Sequence, residues 1–279
     1  MVWVDGRLEP ADAPVLAASD SAWLEGRGCY TSARVEAGRV RFAARHARRL
    51  ARAARALRLG DLEEARVRRA LEELARAAFG AGSGVVRVQA SRDGAGVLHL
   101  VGTPRALGPE PPAWRAVVVR LGGTAGDAAG GHKVSGRLAL ARALDAARDA
   151  GADEALVVDF AGRLVEGART NTVVVDAAGR LATPPLALGA VAGIAREVLL
   201  ERVPELEERI VSLRELSRAA EIVAVNAVRG ARAVVALDGR PVGAGVPGPA
   251  SRRLDAELAR GEEADRGSAD SEGAQSKTG

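Results

Sequence analysis

The chain has 279 residues, 47% hydrophobic and 27% charged, enough apolar content for one large domain or two smaller ones with a real core. Its net charge is only +4, and its arginines lie on helices beside many Asp and Glu residues and form no aromatic-interleaved basic stripe, which argues against nucleic-acid binding. No apolar run reaches the length of a membrane span, the single Cys29 excludes an intrachain disulfide, and Met1-Val2-Trp3-Val4-Asp5-Gly6 does not read as a signal peptide, so the expectation is a protein of the reducing cytoplasm.

In chain order, short strands come first: Val2–Val4, a turn at Asp5-Gly6, then Tyr30–Val35 and Val40–Phe42 around Glu36-Ala37-Gly38. A helix follows with Leu50, Ala54 and Leu57 on one face. Asp61 and Glu64 stand at capping-box spacing and predict a second helix, striped by Val67, Leu71, Leu74 and Ala78 and stopped at Gly80. Val85–Ala90 and Val97–Val101 read as strands. The Pro-rich stretch 103–113 (TPRALGPEPPA) is the best domain boundary.

Beyond it, Ala116–Arg120 reads as a strand, Gly122–Gly131 as a Gly-rich loop and Leu138–Ala150 as a helix. Leu156–Asp159 pairs with Arg163–Val165 around Ala161-Gly162, and Thr172–Asp176 with Arg180–Ala182 around Gly179. Gly193 opens a helix to about Val203. Ser212 and Glu215 again have capping-box spacing, and Glu221–Val225 and Ala233–Leu237 are strands. From about Gly245 the apolar content falls, and roughly the last fifteen residues are expected to be disordered. The expected organisation is an N-terminal lobe over 1–110, a C-terminal lobe over 111–250 and a polar tail over 251–279.

The class is α/β with α+β character: two successive lobes rich in antiparallel hairpins, without the strict βαβ alternation of a dinucleotide fold. There is no GxxxxGK[ST] and no GxSxG. Three scattered histidines and one cysteine give no metal constellation. Of 40 basic residues only two are lysines, Lys133 and Lys277, the latter in the polar tail. An Arg cannot form a Schiff base or readily shuttle a proton, whereas a Lys amine can do both, so Lys133 stands out as a candidate for chemistry.

Four segments in order carry more. They are Ser19–Val35 (SDSAWLEGRGCYTSARV), the H-x-x-R-L of His46 to Leu50, Lys133 followed by Ala152–Asn171 (ADEALVVDFAGRLVEGARTN), and Thr183–Arg196 (TPPLALGAVAGIAR). Over about residues 1–245 they resemble the class IV aminotransferase family. The resemblance implies the two-lobe fold-type IV architecture, with an N-terminal α/β lobe and a C-terminal mixed, β-barrel-like lobe with helices. It implies pyridoxal 5'-phosphate (PLP) held by Lys133, a homodimer and a small-molecule substrate. Glu166 would stand beside the pyridine nitrogen, keeping it protonated so that the ring draws electrons. Arg49 would grip the phosphate with its planar fork of donors, and Gly193-Ile194-Ala195 would offer the free N–H groups of a helix start. Asn171 would support the site loop. Read without the family, Lys133 is a surface Lys after a flexible loop, Arg49 one more helix Arg, Glu166 a strand-end residue, Gly193 an ordinary helix start and Asn171 a turn residue.

Within the family the wording is nearest to aminodeoxychorismate lyase. Cys29–Val35 resembles its CFTTARV-like strand, and Asn226-Ala227-Val228-Arg229-Gly230 its N-[SA]-x-R-G segment. Branched-chain aminotransferases usually carry a threonine where this chain has Ala227. D-amino-acid aminotransferases use an Arg and a His in a loop that here reads Ser91 to Val97 with only Arg92. The resemblance implies conversion of 4-amino-4-deoxychorismate to para-aminobenzoate and pyruvate, a step of folate biosynthesis, with Tyr30, Thr31, Asn226 and Arg229 around the dicarboxylate substrate. A class IV aminotransferase acting on branched-chain or D-amino acids is the alternative. The chain departs from the family at Gly26-Arg27-Gly28, where Gly-Asp-Gly is common, at Gly136, where many lyases carry Asn, and at Arg169, bulkier than usual.

Overall fold

A computed structural model describes residues 1–121 and 131–275, with side chains as far as Arg266. All but Gly131 of the expected Gly122–Gly131 loop lies outside the described residues. The chain forms two compact units.

The first comprises Met1–Pro109 and the short segment His132–Gly136. Its strands are β1 (Val2–Val4), β2 (Arg7–Glu9), β3 (Cys29–Glu36), β4 (Arg39–Val40), β5 (Gly84–Arg92) and β6 (Leu98–Arg105). They form one antiparallel sheet in the order β2-β1-β6-β5-β3-β4. A one-turn helix α1 (Ser21–Leu24) precedes β3, and α2 (Ala43–Ala56) and α3 (Glu64–Phe79) cover the sheet. Strand β3 alternates strictly: Cys29, Thr31, Ala33 and Val35 are buried, and the residues between them less so. Its apolar residues join Leu50, Ala54, Leu71 and Leu74 of the helices in one core.

Asp61 does not cap α3. The helix starts at Glu64 after an extended Glu63, with no side-chain cap. Leu62 is buried in the core, and anchoring it holds the preceding residues out of the helix, so Asp61 stands too early to reach the free N–H groups. The same spacing at Ser212 and Glu215 does form a complete capping box.

The second unit takes the chain from Glu110 onward apart from that five-residue segment. Its elements are β7 (Trp114–Arg120), α4 (Leu138–Asp149), β8 (Glu154–Val158), β9 (Leu164–Gly167), β10 (Asn171–Val175), β11 (Leu181–Thr183), α5 (Ile194–Arg202), β12 (Leu206–Glu208), α6 (Leu213–Leu216), β13 (Glu221–Asn226), β14 (Gly230–Leu237), β15 (Arg240–Pro241) and α7 (Pro249–Gln275). The sheet order is β12-β11-β10-β13-β14-β7-β8-β9, with β15 beside β14. Strands β9 and β10 are joined by only Ala168-Arg169-Thr170, yet four strands separate them in the sheet. Only a strongly curled sheet allows both, which gives the unit its barrel-like character.

Strand β8 is buried throughout because both its faces are covered. Leu156 and Val158 enter a core with Trp114 and Leu164, while Ala155 and Val157 meet Leu140, Ala143 and Ala147 of α4. Part of the tail expectation is corrected. From Pro249 the chain is helical, with Leu254 and Leu258 buried one turn apart. Gly261 brings α7 so close to α5 that a Cβ there would stand 2.4 Å from Val198. Sparse apolar residues at helical spacing sufficed to dock it.

Candidate active site

In the first unit the Lys133 segment is fastened to the start of β3 by the main chain. The Tyr30 N–H donates to the Lys133 carbonyl (2.9 Å), the Ser135 N–H to Gly28 (2.8 Å) and the Gly136 N–H to Gly26 (3.1 Å). Cys29 and Val134 form an antiparallel bridge between them. Two glycines of the departing Gly26-Arg27-Gly28 run make room. Gly26 has φ +64°, and a Cβ on Gly28 would stand 2.7 Å from Ala22 Cβ and 2.9 Å from Ser135 Oγ. Lys133 Nζ lies 5.0 Å from the Tyr30 ring centroid, and the Arg87 guanidinium 3.6 Å from it.

On the core side of β3 lies a second polar group. Arg49 of α2 donates to Thr31 Oγ1 at 2.7 Å, and the same oxygen is 2.6 Å from His46 Nδ1. Thr31 and His46 are fully buried and Arg49 nearly so. Burial, and then the charges of Arg49 and Lys133, hold the His46 imidazole well below its ordinary pKa. Thr31, expected at the substrate, is therefore on the core face of its strand. Its position in the period-two pattern with Cys29, Ala33 and Val35 was the signal that could have found this.

In the second unit, Glu166 of β9 is buried and accepts the Val191 N–H at 3.0 Å. Asn171, at the start of β10, donates to the Val191 carbonyl at 2.9 Å. The two side chains thus hold one residue, Val191, just before α5, by its backbone N–H and its carbonyl. Gly193 is the N-cap of α5 and makes no side-chain cap; a Cβ there would lie 1.9 Å from Asn171 Oδ1. Ile194 and Ala195 are buried, so the first turn presents backbone N–H groups rather than side chains.

Glu154, which sequence reasoning missed, fastens the 167–170 turn that links Glu166 to Asn171. It accepts from Thr170 Oγ1 at 3.1 Å and from the Ala155 N–H at 3.0 Å. Its burial pushes the carboxyl pKa up, against the pull of Arg169. Arg169 stacks 5.4 Å from the Trp114 ring and donates to the Asp153 carbonyl. Asn226 turns its Oδ1 back to the N–H groups of Val228 and Arg229, at 2.9 and 2.8 Å. The Arg229 guanidinium lies 2.8 Å from Glu110, a partner the sequence did not suggest.

Lys133, Arg49, Tyr30 and Thr31 thus belong to one unit, and Glu166, Asn171, Gly193–Ala195, Asn226 and Arg229 to the other. Among the described residues there is no group of His, Cys, Asp or Glu able to hold a metal ion, and no helix long and apolar enough to cross a membrane.

A model of the family described as amino-transferase class IV matches residues 28–237, more than half of the chain. No curated protein matches the sequence. Among solved structures, a hypothetical aminotransferase from Mycobacterium tuberculosis in its PLP-bound form is 23% identical and has a TM-score of 0.84, over 95% of this chain and 99% of that one. A branched-chain aminotransferase from Thermoproteus uzoniensis with norvaline is 24% identical over 93% of both chains, with a TM-score of 0.83. A candidate 4-amino-4-deoxychorismate lyase from Legionella pneumophila is 20% identical over 91% of this chain and 98% of that one, also at 0.83. These likenesses show the fold, which is the fold-type IV arrangement expected from the motifs.

Proposed function

The chain belongs to the class IV aminotransferase family, and on that premise we propose that it is a PLP-dependent lyase converting 4-amino-4-deoxychorismate to para-aminobenzoate and pyruvate. The observation that carries the PLP reading is the docking of the segment bearing Lys133, the one lysine outside the tail, onto Gly26, Gly28 and Tyr30 by three main-chain hydrogen bonds. The donor set suits the group. A phosphate dianion needs a buried cation and free N–H groups, and Arg49 and the uncapped start of α5 are of that kind. A pyridinium nitrogen needs a fixed carboxylate, and Glu166 is buried and oriented by Val191.

When bound, PLP supplies an aldehyde that accepts an amine and a ring that draws electrons from the carbon carrying that amine. The protein supplies the rest. Lys133 Nζ anchors the cofactor and, once displaced by the substrate amine, takes the proton from the amine-bearing ring carbon. Glu166 holds the proton on the pyridine nitrogen. Asn171 and Glu166 together fix Val191, which precedes the phosphate-binding turn. Tyr30, Asn226 and Arg229 are the substrate contacts in this reading, Arg229 with its charge already opposed by Glu110.

The lyase reading rests on Cys29–Val35 and Asn226–Gly230, and on Ala227, which offers no hydroxyl. Aminotransferase activity is the second reading, favoured by the similar solved structures described as aminotransferases. PLP-loaded protein given 4-amino-4-deoxychorismate alone should release pyruvate and a fluorescent aromatic amine. A requirement for a keto acid, with ping-pong kinetics, would overturn the lyase reading in favour of the second. In either reading the protein acts as a cytoplasmic homodimer, which sedimentation of the full chain would test for assembly.

A further inference from the structure

We infer that Thr31 and His46 are positioning residues that aim the Arg49 guanidinium, and that neither touches substrate. The inference rests on the reading of Arg49 as the phosphate ligand. Three observations carry it: one hydroxyl shared by two partners, near-complete burial of all three groups, and the facing of α2 onto β3.

His46 and Arg49 stand three apart on α2, so they share one face of the helix. That face meets the core side of β3, where Thr31 points. A guanidinium can only donate, so Thr31 Oγ1 accepts from Arg49. In the tautomer that leaves His46 Nδ1 unprotonated, the hydroxyl proton goes to that ring nitrogen. This is the arrangement that uses the hydroxyl both as acceptor and as donor. A protonated imidazole would lose the acceptor at Nδ1 and add a third positive charge beside Arg49 and Lys133. The chain Arg49→Thr31→His46 is therefore directional and charge-neutral beyond Arg49.

Its consequence is preorganisation. Arg49 ends in a flexible side chain, and the Thr31 oxygen fixes one of its terminal nitrogens before any anion arrives, reducing the ordering cost of binding. A Thr is suited because its oxygen is held by a stiff β-branched side chain on a central strand. Arg49→Lys would keep a charge and lose the fork that Thr31 orients.

The test is a titration of the cofactor-stripped full chain with PLP, followed by absorbance and by the phosphorus resonance of the bound phosphate. Thr31→Val removes the hydroxyl at nearly constant volume and should raise the PLP dissociation constant about tenfold, with a shifted phosphorus signal. Thr31→Ser should restore both. His46→Asn, which retains a polar atom near the Nδ1 position, should fall between them and serves if Thr31→Val does not fold. KM for the amine substrate at saturating PLP should stay within about twofold of wild type in all of them. If Thr31→Val and His46→Asn bind PLP as wild type does, with unchanged phosphorus signals, the inference is overturned and the PLP reading stands. If KM rises while PLP affinity holds, Thr31 is a substrate contact and the inference is again overturned. If wild type takes up no PLP, the PLP reading fails and the inference with it.

Discussion

Cys29 sits next to the Lys133 segment and could be mistaken for a reactive group. Burial pushes its thiol up to about 12, with Arg49 pulling only partly the other way. At pH 8 the thiolate is then about one part in ten thousand, so an alkylating reagent should leave the folded protein unlabelled and modify one thiol per chain after denaturation. Rapid labelling of native protein would show that the β3 start opens. His99 is the opposite case, a half-buried group on β6 whose pKa is raised rather than held out of range. Its Nδ1 lies 2.7 Å from Asp5 and its Nε2 3.1 Å from Asp93, and Arg66 also pairs with Asp5. The hydrogen bond to Asp5 leads the causes that raise its pKa above 6.5, with that to Asp93 adding to it. A raised histidine stabilises the fold fully below its unfolded value and loses that contribution as pH rises through the folded one. Melting temperature should therefore fall by roughly 1–3 °C between pH 6 and pH 8.5, and His99→Gln should flatten that component. An unchanged slope in the variant would assign the pH dependence elsewhere.

At the scale of elements, most of the chain was legible because its apolar periods are clean. Strand β3 alternates by two, α3 carries Val67, Leu71 and Leu74 at helical spacing, and the hairpins β8–β9 and β10–β11 fall where the Gly turns put them. What failed were features decided by packing at a distance. Asp61 lost its cap to the anchoring of Leu62, and the polar tail became α7 because two leucines and a small Gly261 found partners on other elements. The pairing of β3 with the Lys133 segment spans more than a hundred residues, and no local pattern could announce it. Gly28 makes that pairing measurable. A Cβ there meets Ala22, Ser135 and the Ala90 carbonyl at 2.7, 2.9 and 3.1 Å, so Gly28→Ala must displace the strand or the segment. It should cost about 1–3 kcal/mol of stability and lower PLP occupancy at a fixed concentration. Gly108→Ala, where a Cβ meets nothing within 4 Å, is the control and should change neither. Equal behaviour of the two variants would mean that the close approach at Gly28 is not needed.

For the molecule as a whole, the N-terminal stretch of one unit runs to Pro109 and the other unit begins at Glu110, inside the Pro-rich residues 103–113. The sequence could not show that the segment carrying Lys133 returns to the first unit from within the β7–α4–β8 crossover of the second. That return leaves one amine in a protein whose other basic residues, Lys277 apart, are all arginine. Arginine stays protonated and does not condense with an aldehyde at neutral pH. The chain is thus almost blank to carbonyl reagents, and PLP offered to the intact protein and then reduced with borohydride should mark it once. Digestion at arginine should place that mark on the peptide of residues 121–137, with the N-terminal amine and Lys277 as internal controls for nonspecific reaction. Lys133→Ala should abolish the mark and, with it, the visible absorbance of the PLP-loaded protein. Bound PLP should also stabilise wild type by about 2.7 kcal/mol at a hundredfold excess over its dissociation constant, or roughly 5–10 °C for a chain of this size. The variant should keep only the share that the phosphate contacts contribute. Label spread evenly over Lys133, Lys277 and the N-terminus would instead mean that the docked amine has no privileged access to the cofactor.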